Sequence, residues 1–228
     1  MAAGEGRRLR PLTERYAKPV LPIDGRPVVV GVLRDLAEAG IERAWVVTGH
    51  LAEQVERLLA GGRDAFGLEV RFVRQPRADG SADTVRRALA AGAEPPLLVV
   101  AADTRFSPGD VTRFAAAAEG FDGAIAGRSD PPPGPGRPPL ELAGGRVVRV
   151  LGDPAPGRLS GAPVWAVSAV LADGLDALPG PPYELATLFQ RGVDRGLAIA
   201  GVEIGKTRDL TTPFDVIAEN FTYLGVIE

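Results

Sequence analysis

The sequence predicts an α/β protein, with helices packed on a mixed, mostly parallel sheet. Three observations predict it. Short apolar runs of the kind a buried parallel strand requires stand at Ala44–Thr48 and Leu97–Ala101. Segments with apolar residues at helical spacing alternate with them, over 27–39, 52–60 and 183–195. Gly and Pro punctuate the joins, as at Gly40, Gly49 and Pro108. At 228 residues, 45% hydrophobic and net charge −3, the chain reads as one soluble domain with no surface for nucleic acid. It has no cysteine, which excludes a disulfide framework and thiolate chemistry. Neither a signal peptide nor a long uncharged apolar run is present, so no membrane partner is expected and the cytoplasm is the default setting. Heavy use of Ala, Gly, Pro and Arg reads as composition bias, so the arginines carry no collective meaning.

The first two dozen residues read as a phosphate-handling loop. Ala2, Ala3, Gly4 and Gly6 leave a nearly bare backbone whose amides can approach an anion closely. Arg7, Arg8 and Arg10 crowd cation onto the same loop, and Lys18 follows just ahead of Pro19. The chain has 24 arginines and two lysines, Lys18 and Lys206, so a lysine here stands out. A compact ammonium meets phosphate as a point charge where a planar guanidinium does not fit. No Gly-Lys-Ser/Thr follows, so this is not a Walker A loop.

The string Ala2-Ala3-Gly4-x-Gly6-x-Arg8-Leu9-x-Pro11-Leu12-Thr13, with Lys18-Pro19 downstream, resembles the signature of the sugar-1-phosphate nucleotidylyltransferases, or nucleotide-sugar pyrophosphorylases. The resemblance covers nearly the whole chain. It implies a three-layer αβα Rossmann-like nucleotidyltransferase fold with a small hairpin sugar-binding subregion. It also implies one domain over 1–228, in which 1–127 mainly binds nucleotide and 128–228 mainly binds the sugar phosphate. In that family a sugar phosphate attacks the α-phosphorus of a nucleoside triphosphate (NTP) and releases pyrophosphate. The family carries an apolar strand before its Ala-Ala-Gly, and here Met1 stands where that strand would end. Either the true start lies upstream or another segment covers the gap, and a sheet short of that strand is expected to be less stable.

The elements follow in order. Val29, Val32, Leu33 and Leu36 mark a helix over 27–39 that Gly40 stops. Ala44–Thr48 is a buried strand, and Gly49-His50 opens a helix over about 52–60. His50, the only histidine, reads as a polar loop residue rather than a catalytic base. Val70, Phe72 and Arg74 alternate as a strand that delivers Gln75-Pro76 and, through a loop, Gly80 ahead of a helix to Ala91. This spacing resembles the thymidylyl- and uridylyltransferase branch, which implies that the Gln75 amide reads the pyrimidine edge and that Gly80 leaves room for the base; an amide carries both donors and an acceptor. Leu97–Ala101 is the clearest buried strand and ends in Ala102-Asp103, where open α/β sheets place ligands. Asp103 is therefore a candidate magnesium ligand, while Ser107 or Asp110 caps the helix that starts near Pro108.

Residues 122–127 form another strand, and the proline-rich run 130–139 reads as a stiff surface loop. Segments 140–142 and 147–151 flank Gly144-Gly145 as a hairpin. The chain then departs from the family: Gly152-Asp153-Pro154 stands for Glu-Lys-Pro, Pro163 for a glycine, and Thr187 for an acidic residue after Glu184. These departures open the sugar identity to a non-glucose sugar or a cyclitol phosphate. A helix over 183–195 and a strand over 197–204 follow. Thr207-Arg208-Asp209-Leu210-Thr211-Thr212-Pro213 matches the family's closing Trp-x-Asp-x-Gly-Thr-Pro in part, with Asp209 in the acidic position that would complete the metal site. Thr212, Pro213 and Asp215 make a helix start. Asn220 falls at the family's closing Ala-Asn position, and the chain stops soon after, leaving no room for an appended domain.

The resemblance thus assigns Arg8 and Lys18 as catalytic, and Ala3, Gly4, Gly6, Gln75, Gly80 and Asp103 to the nucleotide. Asp103 and Asp209 would hold Mg²⁺, and the partners are an NTP, with dTTP or UTP favoured, and a sugar-1-phosphate. A homo-oligomer is allowed by the sequence and not read from it. Two alternatives stay open: a guanylyl- or cytidylyltransferase acting on a non-glucose sugar or cyclitol phosphate, and a non-catalytic nucleotide-binding paralogue.

Overall fold

A computed structural model describes residues 1–129, 139–150, 159–160 and 163–221. In chain order its elements begin with β1 (Pro22–Ile23), β2 (Arg26–Pro27), α1 (Val28–Glu38), β3 (Arg43–Thr48), α2 (Ala52–Leu58), α3 (Gly62–Phe66) and β4 (Glu69–Arg74). Then come α4 (Ser81–Ala90), β5 (Leu97–Val100), β6 (Thr104–Arg105), α5 (Asp110–Ala117) and β7 (Gly123–Gly127). The remainder are β8 (Pro139–Ala143), β9 (Arg146–Arg149), β10 (Leu159–Ser160), β11 (Val164–Val167), α6 (Ala169–Ala172), α7 (Leu185–Asp194), β12 (Ile199–Glu203), β13 (Arg208–Asp209) and α8 (Pro213–Asn220). The chain divides into two compact units interleaved in sequence. The first is Met1–Ala78 with Ala101–Phe106 and Arg208–Glu228; the second is Asp79–Val100 with Ser107–Thr207.

In the first unit β3 pairs in parallel with β4 along its whole length. Ala2 bridges in parallel to Thr48, its amide donates to the Val47 carbonyl, and the Met1 carbonyl accepts from the Ala102 amide. The opening residues therefore already bridge to β3, at Ala2. Helix α1 buries Val28, Val29, Val32, Leu33 and Leu36 on one face, as its spacing predicts. Asp24-Gly25, both at positive φ, turns β1 into β2. Strand β13 returns antiparallel to β6, setting Asp209 opposite Thr104. Helix α8 opens on a capping box of Thr212 and Asp215 with Pro213 in its first turn, the start its sequence announces.

The second unit is built on a seven-stranded sheet in the order β10-β8-β9-β12-β7-β11-β5. The sheet is mixed as predicted, but not mostly parallel. Among the described residues only its β12–β7 pairing is parallel, while β11 enters antiparallel to both β7 and β5. An apolar run reports burial on both faces, not strand direction. Gly144 and Gly145, both at positive φ, make the turn between β8 and β9, so the predicted hairpin forms. The core gathers Phe114, Ile125, Leu171, Leu185, Leu188, Phe189 and Ile199, with Trp165 stacked at a tilt on Phe189, centroids 5.0 Å apart. The proline-rich run up to residue 138 and Gly152-Asp153-Pro154 lie outside the described residues.

Candidate active site

The glycine-rich loop lies in the first unit, and its shape follows from two residues. Gly6 sits in the left-handed region at φ 61, and a Cβ there would stand 2.9 Å from the Thr13 methyl. Thr13, itself buried, donates its hydroxyl to the Gly6 carbonyl at 2.9 Å and closes the loop. Gly4 differs: a Cβ there would meet nothing within 4 Å. The loop is thus held at Gly6 and open at Gly4, which leaves the backbone accessible on that side.

Its three arginines are not equivalent. Arg7 donates to Glu5 at 2.8 Å, and Arg10 lies 3.9 Å from the same carboxylate. The Arg7 hydrogen bond, then its charge, holds the Glu5 carboxyl below the ordinary range. Arg8 is exposed and makes no ion pair among the described residues, so its guanidinium is the one available to an added anion.

Lys18 donates to Asp103 across 85 positions of sequence, and its side chain is only 17% exposed. A partly buried ion pair has more weight than a surface one, because water screens it less. Beside it, Asp209 accepts from the Thr104 hydroxyl at 2.6 Å, and Thr104 is the chain neighbour of Asp103. The first unit therefore pairs Lys18 with Asp103 and sets Asp209 against Thr104, the next residue along, on three chain segments. Two carboxylates offer hard oxygen ligands, and no group of three acidic or His side chains that could hold a metal exists among the described residues. That donor set fits a cation that keeps several waters and completes its shell with phosphate oxygens, which is the habit of magnesium.

The nucleotide residues divide. Ala3 and Gly4 lie on the loop, with the Ala3 carbonyl accepting from the His50 amide. Gln75 directly follows β4, its backbone N–H donates to the Thr48 carbonyl at 2.7 Å, and the residue is 4% exposed. Gly80 belongs to the second unit, and there the space a Cβ would take is filled by the backbone of Tyr183. Its φ of 107 also demands glycine, so this position has a packing reason of its own. Ser107 and Asp110 do not cap α5 with their side chains: Ser107 donates to the Lys206 carbonyl and Asp110 accepts from the Gly205 amide.

A family model for the MobA-like NTP transferase domain matches residues 1–192, which takes in the loop, Lys18 and Asp103. The chain belongs to this family. Among relatives of this NTP transferase domain, the chain is 34% identical over 156 residues to a CMP-5'-(3-aminopropyl)phosphonate synthase of Streptomyces rubellomurinus, a match to 67% of the chain and 22% of that protein. It is 36% identical over 72 residues to a UTP–glucose-1-phosphate uridylyltransferase of Synechocystis, covering 32% of the chain and 18% of the relative. The matched stretches thus span about a fifth of these curated relatives' length. A solved inositol-1-phosphate CTP transferase from T. maritima superposes with TM-score 0.79 at 19% identity, covering 94% of this chain and 88% of that one, which establishes the shared nucleotidyltransferase fold.

Sequence reasoning missed three residues that shape the site. Thr13 appeared only as part of a motif, yet it closes the loop. Thr104 orients Asp209. His50 and its neighbours bond back to the loop. The available signal for the last was a lone histidine directly after a buried strand, a position where α/β proteins build sites.

Proposed function

We propose that this chain transfers a nucleotidyl group from a pyrimidine NTP to a sugar-1-phosphate or a closely related phosphoryl acceptor, releasing pyrophosphate. The observation that carries the reading is that the first unit holds a glycine-rich loop open at Gly4, the Lys18–Asp103 ion pair and, at the next residue along, the Thr104–Asp209 contact. An acceptor oxygen attacks the α-phosphorus in line, the bond from the α-phosphorus to the bridging oxygen breaks, and pyrophosphate departs with that electron pair. The acceptor is already anionic near neutral pH, so the work left to the protein is positioning and charge neutralisation.

Arg8 and the loop amides at Ala3, Gly4 and Gly6 hold the β- and γ-phosphates and the leaving pyrophosphate. Lys18 bridges the α-phosphate and the incoming acceptor. Asp103 and Asp209 would hold Mg²⁺, which would supply charge neutralisation on the triphosphate. Gln75 reads the base, and on the spacing to Gly80 dTTP or UTP come first. A cytidylyl reading has its own support, because the relative with the longest match given above is named for a CMP-phosphonate product. We place the reaction in the cytoplasm, where NTPs are supplied; no described helix is long and apolar enough to cross a membrane.

The test is pyrophosphate release across dTTP, UTP, CTP, GTP and ATP against sugar-1-phosphates, cyclitol phosphates and aminoalkylphosphonates, with Mg²⁺. Release with a pyrimidine triphosphate and one acceptor names the product. Nucleotide binding with no release for any pair would instead make the chain a non-catalytic paralogue.

A further inference from the structure

Between β3 and α2 the chain runs Gly49-His50-Leu51, and every residue there is constrained by the phosphate loop or by its own backbone. A Cβ at Gly49 would stand 2.6 Å from the Ala3 carbonyl oxygen. The His50 amide donates to that same carbonyl at 3.4 Å. The His50 ring places Nε2 2.6 Å from the Thr13 carbonyl, and because a carbonyl only accepts, Nε2 is the protonated nitrogen. Leu51, though not a glycine, is held in the left-handed region at φ 51, ψ 38. One turn further, Gln54 accepts from the Ala17 amide at 2.8 Å and donates to the Arg15 carbonyl at 2.6 Å.

Within six consecutive residues, His50 and Gln54 thus bond to positions 3, 13, 15 and 17 of the loop, the last directly before Lys18. All of these contacts lie inside the first unit. We infer that His50 and Gln54 are positioning residues with divided labour: His50 sets the shape of the triphosphate loop, and Gln54 sets the approach of Lys18 to the transferring centre. This rests on the proposed nucleotidyl transfer. His50 grips the entry and exit of the arc that carries Gly4, Gly6 and Arg8. Its loss lets that arc relax without touching the reacting atoms, so ground-state and transition-state binding of the triphosphate weaken together. Gln54 grips Arg15 and Ala17 ahead of Lys18, so its loss misplaces the cation where charge develops, and turnover falls.

The test uses the untagged full chain, whose single histidine makes its ring resonance assignable by inspection. Mg·UTP or Mg·CTP should shift the His50 ring signal. His50→Phe should raise the NTP KM and Kd about 3- to 10-fold, the scale of one lost hydrogen bond, with kcat within about two-fold and acceptor KM unchanged. His50→Gln, which keeps a donor at similar reach, should recover most of the loss. Gln54→Leu should lower kcat about 10-fold with little change in NTP KM. An unmoved His50 signal at saturating nucleotide, or wild-type NTP affinity in His50→Phe, overturns the assignment. So does a loss in every kinetic parameter that follows thermal stability and is not rescued by Gln. If the wild-type chain binds no nucleotide at all, the parent reading fails first, which separates the two failures.

Discussion

Arg7 and Arg8 are adjacent, equally charged and both exposed, yet they should respond oppositely to mutation. Arg7 spends its guanidinium on Glu5, while Arg8 makes no ion pair among the described residues. Arg8→Ala should therefore lower kcat roughly 10²- to 10³-fold, the usual scale for removing a preorganised charge-stabilising group, while Arg7→Ala stays within a few-fold of wild type. Pyrophosphate release by the two variants decides this, and equal effects would mean that loop charge acts in bulk. Asp103→Asn should cost a similar factor, because it weakens both the carboxylate proposed for the metal and the partner that holds Lys18. Circular dichroism of that variant should stay native, since Asp103 is partly solvated and Asn keeps its volume.

At the scale of elements, two glycines separate a rigid neighbour from a yielding one. A Cβ at Gly80 collides with the Tyr183 backbone, which the Asp79 carbonyl and the Ala82 amide fix on both sides. With φ at 107, Gly80→Ala should destabilise by about 2 kcal/mol or more, and lower Tm by roughly 4–8 °C in a protein of this size. A Cβ at Gly31, within α1, meets the flexible Arg105 guanidinium instead. There the gain of about 0.5–1 kcal/mol from Gly→Ala in a helix is offset by disturbing the Arg105–Asp35 pair, so Gly31→Ala should stay within about 1 kcal/mol of wild type. Thermal melts of the two variants side by side test the contrast, and a severe Gly31→Ala would show that Arg105 cannot move aside.

Across the whole molecule, the last described segment returns to the first unit and is tied there by Arg208. Its guanidinium donates to both Asp24 oxygens, at 2.6 and 2.8 Å, and to Glu219, while Asn220 bonds the Pro22 carbonyl and the Gly25 amide. The Arg208 hydrogen bond holds the Asp24 carboxyl below its ordinary range, with Arg208 raised in turn. A depressed carboxyl pKa contributes stability that is present above the unfolded value, about 3.9, and is lost as pH falls through the lower folded value. Wild type should thus lose stability below about pH 4 more steeply than Asp24→Asn, with the difference under about 1 kcal/mol because Asp24 is largely exposed. Parallel Tm-versus-pH curves for the two proteins would contradict the linkage.

The sequence by itself determined what depends on near neighbours. Burial of α1, the Gly144-Gly145 hairpin and the Thr212–Asp215 helix start follow from periodicity and turn chemistry, and each was legible before any coordinates. So was a loop of bare backbone with clustered cation and a rare lysine, because these are local facts. Only the tertiary structure decided which distant groups meet. It gave Lys18 to Asp103, His50 to Thr13 and Arg208 to Asp24, turned β11 antiparallel, and filled the space above Gly80 with Tyr183 rather than leaving it open. The physical reason is that an apolar run or a charged residue is compatible with many long-range partners. The choice among them is made when the whole core packs, where each contact is decided jointly with the others.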